Sequence, residues 1–212
     1  AAMKKIGIMG GTFNPIHLAH LILAESAREQ AGLSSVMFLP SKRTQEKADT
    51  YILPDEQRCE LIKRAIAANP AFYLSTLELE RGGTTYTADT VSALKNGSPE
   101  TEFYFIIGGD SLISFPSWRN PEVILKHVHL LATSRGMLSP EQIHAAAERI
   151  RSVFGVGVQL FDTPKMEISS SEIRERLAGN RSVRYLVPEA VEHFLLEHGC
   201  YQKPEKEWEN GW

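Results

Sequence analysis

The sequence contains little cysteine, no long apolar run and no strong excess of charge of either sign. Its 212 residues include two cysteines, Cys59 and Cys200, which lie far apart and lack the spacing of a metal site. This argues against a disulfide framework and predicts a reduced, cytoplasmic setting. No apolar run approaches the roughly 20 residues that a membrane-spanning helix needs, so we expect no membrane partner. The net charge of −3 gives no sign of a nucleic-acid partner.

Short apolar segments alternate with helical patterns along the chain. Strands are predicted at 5–9, 36–39, 72–79, 103–107, 130–133 and 156–161, and helices at 17–31, 55–69, 87–94, 121–127, 139–151, 169–177 and 188–198. The strands are apolar rather than alternating, which is typical of strands covered on both faces. We therefore predict an α/β fold with a doubly wound, mostly parallel, Rossmann-like sheet, in a single domain over residues 3–201 with a polar tail at 202–212. Residues 41–53 are polar and without pattern, which predicts an exposed loop.

The segment after the first predicted strand carries the strongest functional signal. Gly10 and Gly11 end the strand, and His17 and His20 share one face at the start of the next helix. Free backbone N–H groups and the helix dipole favour an anion at such a helix start, and glycines let the backbone approach it. Zinc is disfavoured, because helical metal pairs are usually four residues apart and no further ligand stands out. The segment predicts a nucleotide-phosphate site.

A second anion site is predicted at the segment Ile168-Ser169-Ser170-Ser171-Glu172-Ile173-Arg174. Ser169 and Glu172 fit a capping box, which alone would be a structural feature of the helix start. Three serines exceed what one cap needs, and they bring hydroxyls and free N–H groups to a helix N-terminus. Arg174, one turn further on, can bind a phosphate through two parallel hydrogen bonds.

Together the two segments resemble the nucleotidyltransferase superfamily that carries a histidine-rich phosphate motif. The resemblance is carried by Gly-Gly-Thr-Phe-Asn-Pro-x-His-x-x-His from Gly10 and by Ile-Ser-Ser-Ser-x-Ile-Arg from Ile168. Within that superfamily, the chain from about Lys5 to Tyr201 is similar to the bacterial nicotinate-nucleotide adenylyltransferase family. That similarity includes Thr84-Thr85-Tyr86-Thr87-Ala88-Asp89-Thr90, and Phe105-Ile106-Ile107-Gly108-Gly109-Asp110-Ser111 followed by Pro116-Ser117-Trp118.

The resemblance implies transfer of the adenylyl group of ATP to nicotinate mononucleotide in NAD biosynthesis, which yields deamido-NAD and pyrophosphate. It implies ATP contacts for Gly10, Gly11, Thr12, Phe13, His17, His20, Ile168, Ser169, Ser170 and Arg174. Of these, His17, His20 and Arg174 would be catalytic. It implies mononucleotide contacts for Thr85, Tyr86, Gly108, Asp110, Trp118 and Lys47. Mg²⁺ would be bound mainly through the ATP phosphates, with no residue assigned as a metal ligand, and a homo-oligomer is compatible with the resemblance.

One loop departs from the family pattern. The family usually has Pro-Pro-His-Lys after the second strand, whereas this chain has Thr44-Gln45-Glu46-Lys47, with a carboxylate in place of the histidine. A carboxylate repels phosphate unless a cation lies between them, so either Lys42, Arg43 and Lys47 take over the contact or the loop acts differently.

Three alternative functions remain open at this point. The acceptor could be nicotinamide mononucleotide or phosphopantetheine, or the chain could be a nucleotide-binding regulator without activity. Thr85, Tyr86 and Trp118 favour the nicotinate acceptor, and the two intact phosphate motifs favour an enzyme.

Overall fold

The centre of the molecule is a parallel β-sheet. The computed structural model describes residues 3–42, 51–81, 84–133 and 138–202. Within these residues the sheet has six strands: β1 (Lys4–Gly11), β2 (Ser35–Pro40), β3 (Phe72–Leu74), β4 (Thr101–Ile107), β5 (Val128–Thr133) and β6 (Gln159–Phe161). Their order is β3-β2-β1-β4-β5-β6, and every neighbouring pair is parallel. The chain leaves β1 toward one edge and returns to β4 toward the other, which opens a crevice at the carboxyl ends of these two strands. The predicted doubly wound parallel fold is confirmed.

Helices cover both faces of the sheet. They are α1 (Leu18–Ala31), α2 (Asp55–Ile66), α3 (Leu77–Glu80), α4 (Thr87–Gly97), α5 (Gly109–Ser114), α6 (Pro121–His127), α7 (Pro140–Phe154), α8 (Ser170–Ala178) and α9 (Glu189–Glu197), with a 3₁₀ turn at Phe115–Ser117. Among the described residues, none of these helices has both the length and the apolarity to cross a membrane.

Two apolar cores lie on opposite faces of the sheet, and β4 contributes to both. Tyr104 and Ile106 belong to the core beneath α1, α2, α8 and α9. Phe103, Phe105 and Ile107 belong to the core beneath α4, α6 and α7. Successive side chains of a strand point to opposite faces, so an uninterrupted apolar strand fills both cores.

The predicted strand at 72–79 is wrong over its second half. β3 ends at Leu74, and the chain then forms the single helical turn α3. Pairing with β2 extends only from Val36 to Phe38, after which Ser75 N–H donates to the carbonyl of Phe38 at 2.9 Å. The apolar residues Leu77 and Leu79 fit either a strand or a helical turn, and the short length of the segment hides the difference.

The predicted exposed loop at 41–53 is also partly wrong. Ile52 and Leu53 are buried, each 2% exposed, and the Leu53 N–H donates to Asn14 Oδ1 at 3.1 Å. Glu46 and Lys47, on which the departure from the family pattern rests, lie outside the described residues.

Two further differences are smaller. The sixth strand begins at Gln159 rather than at 156, and the segment Gly109–Ser114, where no helix was predicted, forms α5.

Candidate nucleotide-binding site

The connection from β1 to α1 places two imidazole rings against each other. His17 has an extended backbone and caps α1, and its backbone N–H donates to Nδ1 of His20 at 3.1 Å. The two rings stack with centroids 3.7 Å apart, and the Phe13 ring meets His20 edge-on at 5.0 Å. Phe13 holds a left-handed backbone (φ 49°), and the peptide bond between Asn14 and Pro15 is cis. The spacing of the two histidines thus produces one rigid aromatic group.

Both imidazoles are neutral at neutral pH in the absence of ligand. Burial lowers the pKa of His17 to about 4. Burial, with a smaller contribution from His17, also lowers the pKa of His20 well below its usual value. Because Nδ1 of His20 accepts a hydrogen bond, the proton of the neutral ring lies on Nε2. His20 therefore offers a neutral N–H donor rather than a permanent positive charge.

Nδ1 of His17 is the one buried side-chain nitrogen or oxygen, within the described part of the chain, that has no hydrogen-bond partner. Buried polar atoms in folded proteins nearly always find a partner, and an orphan calls for an explanation such as a ligand or an ordered water. Nδ1 has almost no solvent-accessible surface, so a ligand site is supported here only by the position of the His17 residue in the lining of an open cavity.

A cavity of about 540 Å³ brings the two predicted phosphate segments together. It is lined by His17, His20, Gly108, Gly109, Asp110, Ser111, Thr133, Leu138, Ile143, Met166, Ile168, Ser169 and Ser170. Ser169 Oγ caps α8 by accepting from the Glu172 N–H at 3.1 Å, and Ser170 Oγ donates to the carbonyl of Pro15 at 2.9 Å. The imidazoles and the α8 N-terminus therefore share one cavity, which we call the histidine cavity.

Arg174 is not part of the histidine cavity. Its Nη1 donates to the backbone carbonyl of Asn14 at 2.8 Å, and its Nη2 donates to Ser171 Oγ at 3.2 Å. The guanidinium lines a separate cavity of about 530 Å³ that also includes Tyr51 and Tyr201. In this structure Arg174 supports the loop that precedes His17.

A second cavity of about 310 Å³ lies beside the first, and the two share Gly108 and Ser111. We call it the tryptophan cavity; its lining includes Gly10, Gly11, Leu39, Ser41, Glu78, Thr87, Thr90, Val91, Phe105, Ile107 and Trp118. The Trp118 ring meets Phe105 edge-on at 6.0 Å, and its Nε1 donates to Ser114 Oγ at 3.2 Å. The Phe115 ring lies 5.2 Å from the indole as well, so Trp118 is held by three contacts where it lines the cavity.

The predicted mononucleotide contacts are not all in one place. Gly108 and Trp118 line the tryptophan cavity, whereas Asp110 lines the histidine cavity. Thr85 and Tyr86 line neither cavity; they precede α4, and the Arg119 guanidinium lies 4.1 Å from the centroid of the Tyr86 ring. Lys47 lies outside the described residues.

The glycines that line these cavities differ in how much space a side chain would find there. A Cβ at Gly10 or Gly11 would meet nothing closer than 3.9 Å and 3.7 Å respectively, so packing does not demand glycine at either position. A Cβ at Gly109 would instead collide with Leu138 Cδ1 at 2.9 Å and come closer still to Ile143. Packing thus disfavours a side chain at Gly109 unless the Leu138 and Ile143 methyl groups move. Gly10 and Gly11, which were predicted as ATP contacts, line the tryptophan cavity rather than the histidine cavity and leave space on its wall.

Sequence reasoning missed Arg58, a fully buried cation beneath the site. Its Nη1 donates to the carbonyls of Thr12 and Ser41, both at 2.8 Å, and its Nε donates to the carbonyl of Leu53 at 3.0 Å. Its Nη2 pairs with Asp55 at 2.5 Å. The position of Arg58 among the apolar residues of α2 was the available signal. With four hydrogen bonds, the guanidinium ties the segment after β1 to the segment after β2.

Sequence reasoning also missed Glu78, because its role depends on a tertiary contact. It is buried on the wall of the tryptophan cavity, and its Oε1 accepts a hydrogen bond from Thr90 Oγ1 at 2.9 Å. Burial raises the pKa of this carboxyl group.

The geometry defines a protein with two adjoining ligand cavities at the carboxyl end of a parallel sheet, one of them with helix N-termini and imidazoles as anion donors. The chain belongs to the cytidylyltransferase-like family, whose model matches residues 8–176. Within it, the chain is a member of the nicotinate-nucleotide adenylyltransferases, as its relatives show.

Two curated relatives are similar over almost the whole chain. A protein of Lachnoclostridium phytofermentans named "Probable nicotinate-nucleotide adenylyltransferase" is 44% identical over 94% of this chain and 100% of its own length. A protein of the same name from Exiguobacterium sibiricum is 41% identical over 93% of this chain and 98% of its own length.

A solved structure shares the fold at low sequence identity. The nicotinic acid mononucleotide adenylyltransferase of Plasmodium falciparum, solved in complex with NaAD, superposes with a TM-score of 0.77 at 21% identity. The superposition covers 93% of this chain and 97% of that structure.

Proposed function

We propose that this chain transfers the adenylyl group of ATP to nicotinate mononucleotide and releases pyrophosphate. The observation that carries the proposal is the pair of adjoining cavities that share Gly108 and Ser111. The two substrates of an adenylyl transfer must meet with the attacking oxygen in line with the leaving group. Two neighbouring cavities with one common wall provide such a meeting point, and family membership supplies the acceptor.

ATP is assigned to the histidine cavity. Its phosphates are received by the N–H groups of His17 and His20 and by the N-terminus of α8 at Ile168, Ser169 and Ser170. A phosphate oxygen in this cavity would accept a hydrogen bond from the ring N–H of His20, whose proton lies on Nε2. Negative charge beside the two rings favours their protonated forms, so bound phosphate opposes the lowering of pKa caused by burial.

Nicotinate mononucleotide is assigned to the tryptophan cavity. The planar ring stacks on Trp118, while Gly10 and Gly11 leave room for the phosphoribosyl part. We assign Thr85 and Tyr86 to the rim of this site, where the first backbone N–H groups of α4 can receive the nicotinate carboxylate. Lys47 remains a proposed phosphate contact from the loop outside the described residues.

The reaction needs no general base, because a phosphate monoester is already ionised near neutral pH. Its oxygen attacks the α-phosphorus of ATP as the bond to pyrophosphate breaks, and catalysis comes from position and from stabilisation of charge. The remaining ATP contacts, Thr12 and Phe13, act through the loop geometry that Arg174 supports at Asn14. Arg174 is therefore assigned to catalysis through the position of the histidines.

Mg²⁺ is proposed as the cofactor, and the donor set fits an ion carried by the substrate. Asp110 is the one acidic side chain on the described lining of the histidine cavity. No group of three or more His, Cys, Asp or Glu residues could hold a metal within the described ranges. The ATP phosphates and water would supply most of the ligands, with Asp110 in reach. The ion would neutralise phosphate charge.

The proposal is tested by pyrophosphate release with ATP, Mg²⁺ and one of three acceptors: nicotinate mononucleotide, nicotinamide mononucleotide or phosphopantetheine. We expect the highest kcat/KM with nicotinate mononucleotide and no release without an acceptor. Faster turnover of either other acceptor would refute the assigned substrate. Absence of release with all three would refute the enzyme activity.

The assignment of the cavities is tested with Trp118→Ala. We expect the KM for the mononucleotide to rise about tenfold through loss of ring stacking, with the KM for ATP unchanged. An equal rise in both KM values would contradict the separation of the two sites.

A further inference from the structure

Asn14 belongs to the phosphate segment, yet the proposed reaction gives its side chain no contact with either substrate. It is buried, 4% exposed, and lies three residues before His17. Its Nδ2 donates to the carbonyl of Tyr51 at 2.8 Å, and its Oδ1 accepts from the Leu53 N–H at 3.1 Å and from the hydroxyl of Tyr201. Residues from two distant parts of the chain therefore converge on one amide.

Tyr201 reaches Asn14 from the far end of the described chain, 187 residues away. α9 ends in a turn in which the Cys200 N–H donates to the carbonyl of Leu195 at 2.9 Å, and Tyr201 itself has a left-handed backbone (φ 62°). The Tyr201 ring lies edge-on to Tyr51 at 6.0 Å. Burial raises the pKa of the phenol, so the hydroxyl stays protonated and acts as the donor.

The loop that carries Asn14 is also held at three of its backbone carbonyls. Arg58 bonds the carbonyl of Thr12, Arg174 bonds the carbonyl of Asn14, and Ser170 bonds the carbonyl of Pro15. The side-chain amide of Asn14 adds three further hydrogen bonds, to Tyr51, Leu53 and Tyr201. A small displacement of that point is transmitted to His17, and misplacement of catalytic donors by a fraction of an ångström to an ångström is costly.

We propose that Tyr201 is a positioning residue for ATP: its hydroxyl holds Asn14, and through Asn14 it sets the placement of the two histidines. This inference rests on the proposed function and deepens it, because it concerns the same nucleotide site. A hydroxyl with a purely structural role would change stability and leave substrate affinities alone. A positioning role affects ATP and leaves the acceptor unaffected, since the tryptophan cavity does not include this loop beyond Gly11.

Tyr201→Phe removes the hydroxyl and keeps the ring, so the fold is preserved. We expect the Kd of a non-hydrolysable ATP analogue, measured by calorimetry, and the KM for ATP to rise about fivefold, the usual net effect of one hydrogen bond. The KM for nicotinate mononucleotide should stay at the wild-type value. Tyr185→Phe is the matched control, because Tyr185 is 83% exposed and loses the same group; it should change neither affinity.

A double-mutant cycle tests whether Tyr201 acts through Asn14. In an Asn14→Ala background, Tyr201→Phe should produce no further loss of analogue affinity, because the two changes remove the same contact. Asn14→Asp keeps the acceptor oxygen, so Tyr201→Phe should still weaken binding in that background, and this second cycle remains informative if Asn14→Ala fails to fold. Additive losses in the alanine cycle, or no loss in the aspartate cycle, would overturn the proposal.

The outcomes separate this proposal from the proposed reaction. If the wild type releases pyrophosphate and Tyr201→Phe binds the analogue normally, only the positioning role is refuted. If the wild type binds the analogue but turns over no acceptor, the reaction is refuted, and analogue affinity still decides the role of Tyr201.

Discussion

Arg58→Met should destabilise the folded protein more than any surface arginine substitution. The change removes four hydrogen-bonding interactions and leaves the carbonyls of Thr12, Ser41 and Leu53 without this donor in a buried region. Each buried acceptor that loses its partner costs about 1–3 kcal/mol. Asp55 adds little, because its side chain is 41% exposed and its charge is solvated after Arg58 is removed. The introduced methionine side chain fills part of the volume of Arg58, so we expect the free energy of unfolding to fall by about 4 kcal/mol. That is a large fraction of the roughly 5–15 kcal/mol that stabilises a typical domain.

The measurements are urea unfolding and thermal unfolding, both followed by circular dichroism, with Arg151→Met as the control. Arg151 is exposed, and its Nε lies 3.6 Å from Glu148, a surface pair worth about 0–1 kcal/mol. At about 2–4 °C per kcal/mol for a domain of this size, Arg58→Met should lower the Tm by roughly 10 °C, and the control by no more than about 3 °C. Equal unfolding free energies for the two variants would refute the assigned role of the buried guanidinium.

Three further predictions concern the site. His20→Ala should lower kcat by about two orders of magnitude through loss of one aimed donor, with little change in Tm; near-normal turnover in steady-state assays would contradict it. The His17 ring alone should lower the free energy of unfolding by about 2 kcal/mol from pH 7 to pH 5. The pKa of His17 is about 4 when folded and about 6.5 when unfolded, so the unfolded state gains the proton first. His17→Gln should remove this contribution and leave the one that His20 makes for the same reason, and an unchanged slope in urea titrations would argue against the buried neutral His17 ring. Gly109→Ala should cost about 1–3 kcal/mol, because its Cβ would lie 2.9 Å from Leu138 Cδ1, whereas Gly108→Ala, with nothing within 4 Å, should unfold like the wild type.

The sheet could be predicted because its signal is local. Each strand reads as an apolar run closed by a turn, and the strand order follows the usual rules for parallel sheets. The strand prediction was wrong at 77–80, because four residues are too few to distinguish a helical turn from a strand. The prediction of an exposed loop was wrong at Ile52 and Leu53. They are only two apolar residues beside a polar stretch, and their burial depends on contacts with Asn14 and α2.

The candidate site was predictable to the same extent. His17, His20 and the serines at the start of α8 carry their chemistry in short motifs, and the structure brings them to one cavity. The direction of Arg174 was not predictable, because its partner carbonyl at Asn14 is 160 residues away. Arg58 and Tyr201 likewise take their roles from tertiary contacts that no motif records.

The common wall at Gly108 and Ser111 constrains how a new acceptor could be accommodated. Both residues border both cavities, so a side chain added there to reshape one pocket intrudes on the other. Substitutions that change acceptor specificity should therefore succeed at Trp118, Thr87 and Val91, which line the tryptophan cavity but not the histidine cavity. Libraries built on the shared wall should trade every gain for a new acceptor against weaker use of ATP.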